Sequence, residues 1–336
     1  MKVCIVGLGA IGGTFAAWLG SRLPAGELSL SALARGATLA AVQAQGVVME
    51  SADSAEPPVC VRLSASDDAR SLGVQDLVIL AVKGPALPSV APAVQALCGP
   101  GTQVLCAMNG VLWWFFEGLP GAAAGWSLNS VDPGECLRGL IPAAQVVGCV
   151  VHLSSSSPAP GHVRHGQGKG LIIGRPAGGP DQGLQALAAR LQRAGFEVTV
   201  SECIQRDIWF KLWGNMTMNP VSALTGAPAD RILDDPLVRG FISAVMREAQ
   251  LIGAGIGLPI AQAPEERHAI TRKLGSFKTS MLQDLLAGRP LEIDALVGAV
   301  REIGQHLGLA TPNIDALLGL VRLMASERGL YTAPAP

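Results

Sequence analysis

The stretch Lys2-Val3-Cys4-Ile5-Val6-Gly7-Leu8-Gly9-Ala10-Ile11-Gly12 joins a short apolar run to a helix-like segment through three closely spaced glycines. In the GxGxxG pattern, the first glycine allows a tight turn, the second a close backbone approach to a pyrophosphate, and the third close helix–strand packing. The start of the helix also offers unpaired N–H groups to an anion. Because the pattern stands between a strand and a helix, it predicts dinucleotide binding; a glycine-rich turn without a ligand is the alternative. The predicted phosphate-binding residues are Gly7, Leu8, Gly9, Ala10, Ile11 and Gly12.

Strand-like and helix-like segments continue to alternate through the first half of the chain. Apolar runs predict strands at Lys2–Val6, Leu28–Ala34, Val59–Leu63, Asp76–Val82 and Gln103–Ala107, with further runs at Gly148–Leu153, Gly170–Gly174 and Phe196–Val200. Helical spacing occurs between the first strands, at Ala10–Ser21, Ala37–Gln45 and Pro85–Leu97. Continuous apolar strands separated by helices are typical of a parallel sheet covered on both faces.

Beyond residue 201 the pattern changes to helices alone. The predicted helices are Cys203–Met218, Pro236–Ile252, Pro264–Leu285, Asp294–Leu307 and Asn313–Glu327. The sequence therefore predicts an α/β fold: a Rossmann-type doubly wound parallel sheet in residues 1–201, followed by a second, all-helical domain in residues 202–336.

Composition excludes several other classes. The 336 residues suit about two domains. A net charge of −1 gives no bulk attraction to nucleic acid or an anionic membrane, and no run of about 18 apolar residues predicts a membrane-spanning helix. The seven cysteines form no CxxC pair, which favours free thiols in a reducing compartment, and we therefore expect a cytoplasmic protein.

The end of the second predicted strand bears on which dinucleotide is bound. NAD-binding proteins usually place an acidic residue there for the ribose 2′-hydroxyl group. This chain reads Ala32-Leu33-Ala34-Arg35-Gly36, without an acid. Arg35 would pair with a 2′-phosphate through a charge-assisted fork, so NADP(H) is the predicted cofactor, and an exposed loop arginine is the alternative.

A polar stripe interrupts the apolar sequence just after the predicted boundary. Lys211, Asn215 and Asn219 follow one another at four-residue spacing, which places them on one face of a helix. A lysine can donate a proton and carry positive charge, while amides both donate and accept hydrogen bonds. This set suits an anionic, oxygen-rich substrate; a solvated polar face is the alternative.

Taken together in this order, these motifs resemble those of the ketopantoate reductases, relatives of the 6-phosphogluconate dehydrogenase-like group. Beyond the residues already named, the resemblance includes Lys83, Met108-Asn109-Gly110, Thr279-Ser280-Met281-Leu282-Gln283-Asp284 and Leu291-Glu292-Ile293-Asp294. It spans nearly the whole chain. Each added motif could have a purely structural role, such as Asn109-Gly110 as a turn or Ser280 bonded to its own helix.

The resemblance implies roles for individual residues. Lys211 would be the general acid that protonates the ketone oxygen, and Glu292 a catalytic and cofactor-contacting acid near it. Asn109 would contact both cofactor and substrate, and Lys83 the cofactor. The expected substrate-binding residues are Asn109, Asn215, Asn219 and Ser280. The expected function is NADPH-dependent reduction of 2-dehydropantoate to pantoate, with a related 2-oxo acid oxidoreductase or a non-catalytic NADP-binding protein as alternatives.

Two departures from the family pattern bear on the substrate. Ala229 occupies a position where the family usually has a substrate-contacting asparagine, and the segment from Gly110 to Gly148 is longer than in short members. The aromatic run Trp113–Phe116 in that segment predicts either a border of the substrate pocket or a surface helix or homodimer contact.

A metal site is not expected. His152, His162 and His165 have no accompanying carboxylate in the sequence, and strand alternation would put the last two on opposite faces.

Overall fold

Strand β1, Lys2–Val6, lies inside a sheet because its last four side chains are apolar and buried. The structure, a computed structural model, describes residues 1–52, 57–179 and 181–332. Within those residues the strands form one ten-stranded sheet in the order β4-β3-β9-β8-β7-β6-β1-β2-β5, with β10 paired to β9. The remaining strands are β2 Ser29–Leu33, β3 Val47–Ser51, β4 Val59–Val61, β5 Ser64–Ser66, β6 Gln75–Leu80, β7 Cys98–Cys106, β8 Val146–Ala159, β9 His162–Gly174 and β10 Glu197–Val200.

The predicted parallel core is present around β1. Strand β1 pairs in parallel with β2 on one side, Val3 opposite Leu30, and with β6 on the other, Val3 opposite Leu77. The sheet as a whole is mixed, however, because β3 pairs antiparallel with β4, and β8 with β9. Strands β3 and β5 were not predicted: β3 has only five residues, and β5 has three small ones, Ser64-Ala65-Ser66.

Helices connect the strands of this part and then form the rest of the chain. Those among the strands are α1 Ala10–Arg22, α2 Gly36–Gln45, α3 Ala69–Leu72, α4 Leu87–Leu97, α5 Cys136–Leu140 and α6 Gln182–Arg193. Those that follow are α7 Ile204–Thr225, α8 Ala229–Asp234, α9 Pro236–Gly255, α10 Pro264–Arg272, α11 Ser280–Leu286, α12 Ala299–His306 and α13 Pro312–Glu327. A π turn, Asp294–Gly298, leads directly into α12. No helix of the described ranges is both long and apolar enough to cross a membrane.

The expectation of one helix over Pro264–Leu285 is wrong. The helix ends at Arg272 and a new one begins at Ser280. Gly275, at φ +70°, adopts a conformation that interrupts a right-handed helix. Thr279 then caps the new helix, its hydroxyl accepting a hydrogen bond from the Leu282 amide.

The chain forms two compact units, and they differ from the expected division at two places: residues 109–135 group with the helices, and residues 202–207 group with the sheet. The first contains 1–108 and 136–207, and the second contains 109–135 and 208–336, of which residues 333–336 lie outside the described part. The segment 109–135 therefore groups with the helical unit although it lies inside the predicted range 1–201. The physical reason is its aromatic side chains, such as Phe115, which packs 6.3 Å from Trp209 of α7 between ring centroids.

The turn after β1 depends on the absence of a side chain at Gly12. A Cβ atom there would lie 2.0 Å from the backbone oxygen of Gly7, far inside van der Waals contact. Gly7 itself has φ +92° and lies against Ala81 and Val82 after β6. Gly9, by contrast, has extended backbone angles, and a Cβ there would meet no protein atom within 4 Å.

These environments predict that the same substitution destabilises the protein more at Gly12 than at Gly9. Gly12→Ala should destabilise the fold by about 1–3 kcal/mol, because the Gly7 backbone must shift to admit the methyl group. Gly9→Ala, the matched control at a helix N-cap, should cost about 1 kcal/mol or less. Thermal unfolding of both variants measures the difference. A Gly12→Ala protein as stable as the Gly9→Ala protein would contradict this packing.

Candidate functional site

The first unit carries the predicted phosphate-binding residues at the start of α1. The helix has no acidic residue in its first turn, and no side chain caps its N-terminus. Its first N–H groups and the positive end of its dipole are therefore available to an anion. Gly9 is exposed, and the space beside it is open. The turn Gly7–Gly12 thus fits the phosphates of a dinucleotide, because no protein atom lies within 4 Å of where a Gly9 Cβ would be.

Arg35 and Lys83 follow strands that flank β1. Arg35 comes two residues after β2, at the N-cap of α2, and is exposed. Within the described residues, no hydrogen bond or ion pair of the Arg35 guanidinium is found. Lys83 comes three residues after β6, is half-buried and begins a short 3-10 turn. Because β2, β1 and β6 are parallel neighbours, Gly7, Arg35 and Lys83 follow their carboxyl ends, where open α/β sheets bind ligands.

Helix α7 holds the polar stripe of the second unit. Trp209 and Met216, which we expected in the core, are buried at 1% and 0% exposure. The indole N–H of Trp213 donates to the Met246 carbonyl of α9 at 2.9 Å, which fixes the rotation of α7 about its axis. Lys211 and Asn215 are half-buried and Asn219 is buried, so this stripe is not an ordinary solvated face.

The ammonium group of Lys211 is bonded to the side chain of Asn109. Lys211 Nζ donates to Asn109 Oδ1 at 2.8 Å, although the two residues are 102 positions apart in the sequence. The bond orients the ammonium group relative to the Asn109 amide. The structure therefore brings together the residue to which the resemblance assigns proton donation and one to which it assigns contact with cofactor and substrate.

The position of Asn109 is set by the residues that follow it. Gly110 has φ +84°, and a Cβ there would lie 2.4 Å from the Ala295 carbonyl oxygen. The Val111 amide donates to that same oxygen at 2.9 Å. Only glycine fits this approach, so Asn109-Gly110 is more than an ordinary turn dipeptide.

A second pair of predicted residues meets farther along α7. Asn219 Nδ2 lies 3.5 Å from Ser280 Oγ, at the limit of a hydrogen bond, and Ser280 is exposed at the first position of α11. The neighbouring Thr279 hydroxyl is hydrogen-bonded to Ser222 Oγ, which ties the start of α11 to α7. An amide and a hydroxyl held this way can bind the oxygens of a small polar ligand.

Glu292 precedes the π turn and is 7% exposed. The adjacent Leu291 amide donates to the Leu330 carbonyl at 3.0 Å, so the chain after α13 lies along this segment. Asp294 Oδ1 accepts from Arg322 Nη2 at 2.7 Å and from Tyr331 Oη at 2.9 Å. Burial and the neighbouring Asp294 carboxylate raise the pKa of Tyr331, so its hydroxyl group remains a donor.

The aromatic run Trp113–Phe116 forms neither a surface helix nor a homodimer surface. All four side chains are at most 3% exposed, and Phe116 packs 5.6 Å from Trp126 between ring centroids. Their apolar area is buried within the second unit, which corrects that interpretation. A homodimer stays a prediction, but these four side chains do not form its contact. Glu302 of α12 holds the same segment by accepting from the amides of Asn129 and Ser130 at 2.7 and 2.8 Å.

The histidines considered as metal ligands have other neighbours. His162 Nε2 lies 2.9 Å from Gln45 Nε2, and His165 Nε2 lies 2.7 Å from the Gly168 carbonyl oxygen. In the part of the chain that the structure describes, no group of three or more histidine, cysteine or acidic side chains could hold a metal ion. The hypothesis of a histidine metal site thus finds no ligand set there.

Sequence reasoning missed the residues that support this site from behind. Asp294 was part of a recognised motif but had no assigned role, and Arg322 and Tyr331 were not singled out. Tyr331 is the one tyrosine of the chain, which is a signal that could have drawn attention to it. The Ala295 carbonyl could not have been found from side-chain chemistry, because its contact with Val111 is made by backbone atoms alone.

Comparisons with known families and structures agree over both units. The family model described as "Ketopantoate reductase PanE/ApbA" matches residues 3–112, and the one described as "Ketopantoate reductase PanE/ApbA C terminal" matches residues 203–325. A 2-dehydropantoate 2-reductase from Mesorhizobium japonicum is 42% identical, over 99% of this chain and 100% of the relative.

Solved structures show the same fold. A crystal structure of a candidate ketopantoate reductase from Ralstonia solanacearum MolK2 is 55% identical with a TM-score of 0.92, covering 98% of this chain and 99% of the other. A D-mandelate dehydrogenase, solved with NADH and anilino(oxo)acetate, has a TM-score of 0.82 over 98% and 100% of the two chains. At 20% identity that likeness shows the fold alone. These sequence matches identify the chain as an oxidoreductase that belongs to the ketopantoate reductase family.

Proposed function

We propose that this protein catalyses the NADPH-dependent reduction of 2-dehydropantoate to pantoate in the cytoplasm. The observation that carries the proposal is the hydrogen bond of Lys211 Nζ to Asn109 Oδ1 on a half-buried polar stripe. Reduction of a ketone needs a hydride and a proton, and a lysine held by an amide is suited to donate the proton. The name of the relative from Mesorhizobium japonicum supports the same substrate.

The residues of the first unit fit a nicotinamide dinucleotide phosphate. The open space at Gly9 and the uncapped start of α1 suit the pyrophosphate. The exposed Arg35 guanidinium suits the 2′-phosphate, and Lys83 adds a second positive charge after a neighbouring strand. When bound, the dinucleotide supplies the hydride. The chain supplies the binding site, the orientation and the proton.

Lys211 would protonate the ketone oxygen as the carbonyl carbon is reduced. The ammonium form also stabilises negative charge that develops on that oxygen before the proton is transferred. Asn109 accepts a hydrogen bond from Lys211 Nζ and so restrains the orientation of the ammonium group that would donate the proton. After transfer Lys211 is neutral, and it regains a proton from solvent before the next turnover.

The remaining polar residues would bind the substrate. Asn215 and Asn219 lie one and two helical turns beyond Lys211 on α7, and Ser280 lies beside Asn219. Their amides and hydroxyl can hold the carboxylate and hydroxyl oxygens of a 2-oxo acid. Glu292 would be the catalytic and cofactor-contacting acid near Lys211. It is buried within a mostly apolar segment.

A different 2-oxo acid is the second candidate substrate. Ala229, in place of the expected asparagine, is fully buried, and its amide donates to the Phe277 carbonyl at 3.0 Å. The chain thus lacks one side-chain donor that the family pattern leads one to expect, which favours a substrate with one polar group fewer or a larger apolar group.

A panel of 2-oxo acids tests the proposed activity. With NADPH in excess, we expect the highest kcat/KM on 2-dehydropantoate, measured by the loss of reduced-nicotinamide absorbance. A higher kcat/KM on another 2-oxo acid would establish the second candidate. Tight NADPH binding without turnover of any 2-oxo acid would contradict both and favour a non-catalytic NADP-binding protein.

Lys211 variants separate proton donation from charge. Lys211→Ala should lower kcat by about 10²-fold or more if general acid catalysis is lost. Asn219→Ala, on the same helix face, should mainly raise the KM of the 2-oxo acid, because it removes a binding contact. Lys211→Arg keeps the charge but donates a proton poorly, so it should remain close to Lys211→Ala in kcat. A near-normal kcat in Lys211→Arg would contradict the proton-donor role. Circular dichroism and NADPH titration control for folding.

Arg35 should select NADPH over NADH. Arg35→Ala removes a charge-assisted contact worth about 1.5–3 kcal/mol, so the KM for NADPH should rise roughly tenfold to 150-fold. The KM for NADH, which has no 2′-phosphate, should change little. Arg62→Ala, at another exposed arginine of the first unit, is the control. Equal effects of Arg35→Ala on both cofactors would refute the assignment.

A further inference from the structure

Three side chains meet behind the candidate site at the start of the π turn Asp294–Gly298. The carboxylate of Asp294 accepts from Arg322 of α13 and from the hydroxyl of Tyr331, both through Oδ1. Arg322 Cζ lies 5.7 Å from the centroid of the Tyr331 ring. We call Asp294, Arg322 and Tyr331 the anchor cluster. It combines the ion pair of Arg322 and Asp294 with the chain's one tyrosine.

The anchor cluster holds the π turn by its first residue. The Asp294 carboxylate folds back over Gly298, where a Cβ atom would lie 3.1 Å from Asp294 Oδ1. The Ala299 amide donates to the Asp294 carbonyl, which is the wider spacing that defines a π turn. Such turns are less favourable than α-helix and occur frequently at functional sites, so one that persists needs support from outside the helix.

The π turn in turn positions the residue bonded to Lys211. The Ala295 carbonyl, next to Asp294, accepts from the Val111 amide and is in close approach to Gly110. Asn109 precedes these two residues and bonds Lys211 Nζ. A continuous series of contacts therefore runs from Tyr331 and Asp294 through Ala295 and Val111 to Asn109.

We propose that the anchor cluster is a positioning device for the reaction: by fixing the π turn, it sets the place of Asn109 and hence the direction of the Lys211 ammonium group. The proposal rests on the proposed function for its effect on turnover, but its structural part does not. The alternative is that the cluster only stabilises the fold, as an ion pair between α12 and α13 would. The protein already has one on those helices, between Arg301 Nε and Asp315 Oδ1 at 2.7 Å, and neither residue belongs to the π turn.

Tyr331→Phe and Arg322→Gln test the proposal, with Arg301→Gln as the matched control. Tyr331→Phe removes only the hydroxyl donor. We expect kcat on the best 2-oxo acid to fall about tenfold in Tyr331→Phe and Arg322→Gln, because small displacements of catalytic groups are costly. The KM for NADPH should not change. Arg301→Gln should have normal kcat whatever its effect on thermal stability.

A double-mutant cycle with Asn109→Ala shows whether the effect passes through Asn109. If it does, Tyr331→Phe should lower kcat in the wild-type background and have little further effect in the Asn109→Ala background. Equal reductions in both backgrounds, or an unchanged kcat in both anchor variants, would overturn the proposal.

Hydrogen exchange of the Val111 amide provides a readout that needs no activity. In the full-length Tyr331→Phe protein this amide should exchange about tenfold faster, since its acceptor is no longer held, while Arg301→Gln leaves it unchanged. Unchanged exchange in Tyr331→Phe would overturn the proposal even in an active enzyme. If no 2-oxo acid is reduced at all, the proposed function fails, and the exchange rate still decides whether the anchor cluster holds Val111.

Discussion

The hydrogen bond between Lys211 Nζ and Asn109 Oδ1 is the constraint on which the candidate site of the second unit depends. A lysine on a half-buried face loses water and must find polar partners, because an unpaired buried charge is costly. Here the partner is Asn109, which follows strand β7 by three residues and begins the segment 109–135. The segment 109–135 that begins with this amide groups with the helices, where its aromatic side chains pack.

The position of Asn109 constrains which residues can occupy the positions around it. Gly110 is needed because its backbone lies against Ala295, and the Trp113–Phe116 run fills the space behind it with buried aromatic rings. The π turn presents the Ala295 carbonyl at that place, and Asp294, Arg322 and Tyr331 hold the turn from the other side. Hydrogen bonds among these polar groups thus restrain their positions in this region.

Much of the fold was predictable because its signals are local. The Gly7–Gly12 turn, strand β1, helix α1 and the stripe on α7 each depend on spacing within a few residues. The antiparallel pairs β3–β4 and β8–β9 and the break between α10 and α11 were not predicted. Strand direction depends on partners far away in sequence, and the break depends on one positive φ at Gly275.

The candidate site divides in the same way. Lys211, Asn215 and Asn219 could be recognised from one helix, and the family resemblance added Asn109, Ser280 and Glu292, whose roles stay predictions. Chain spacing cannot show that Asn109 bonds Lys211, because the contact closes a loop of 102 residues. The support from Tyr331 was equally hidden, since it depends on the chain after α13 lying along Leu291.

The proton-donor role of Lys211 is tested most directly by rescue of the Lys211→Ala enzyme with small primary amines of graded pKa. If Lys211 protonates the ketone oxygen, added alkylammonium ions should restore kcat, and the rescued rate should rise as the ammonium becomes more acidic, as general acid catalysis requires. The same amines should not affect the wild-type enzyme. Rescue that is independent of amine pKa, or equal rescue by guanidinium ions, would contradict proton donation and leave Lys211 as a fixed positive charge.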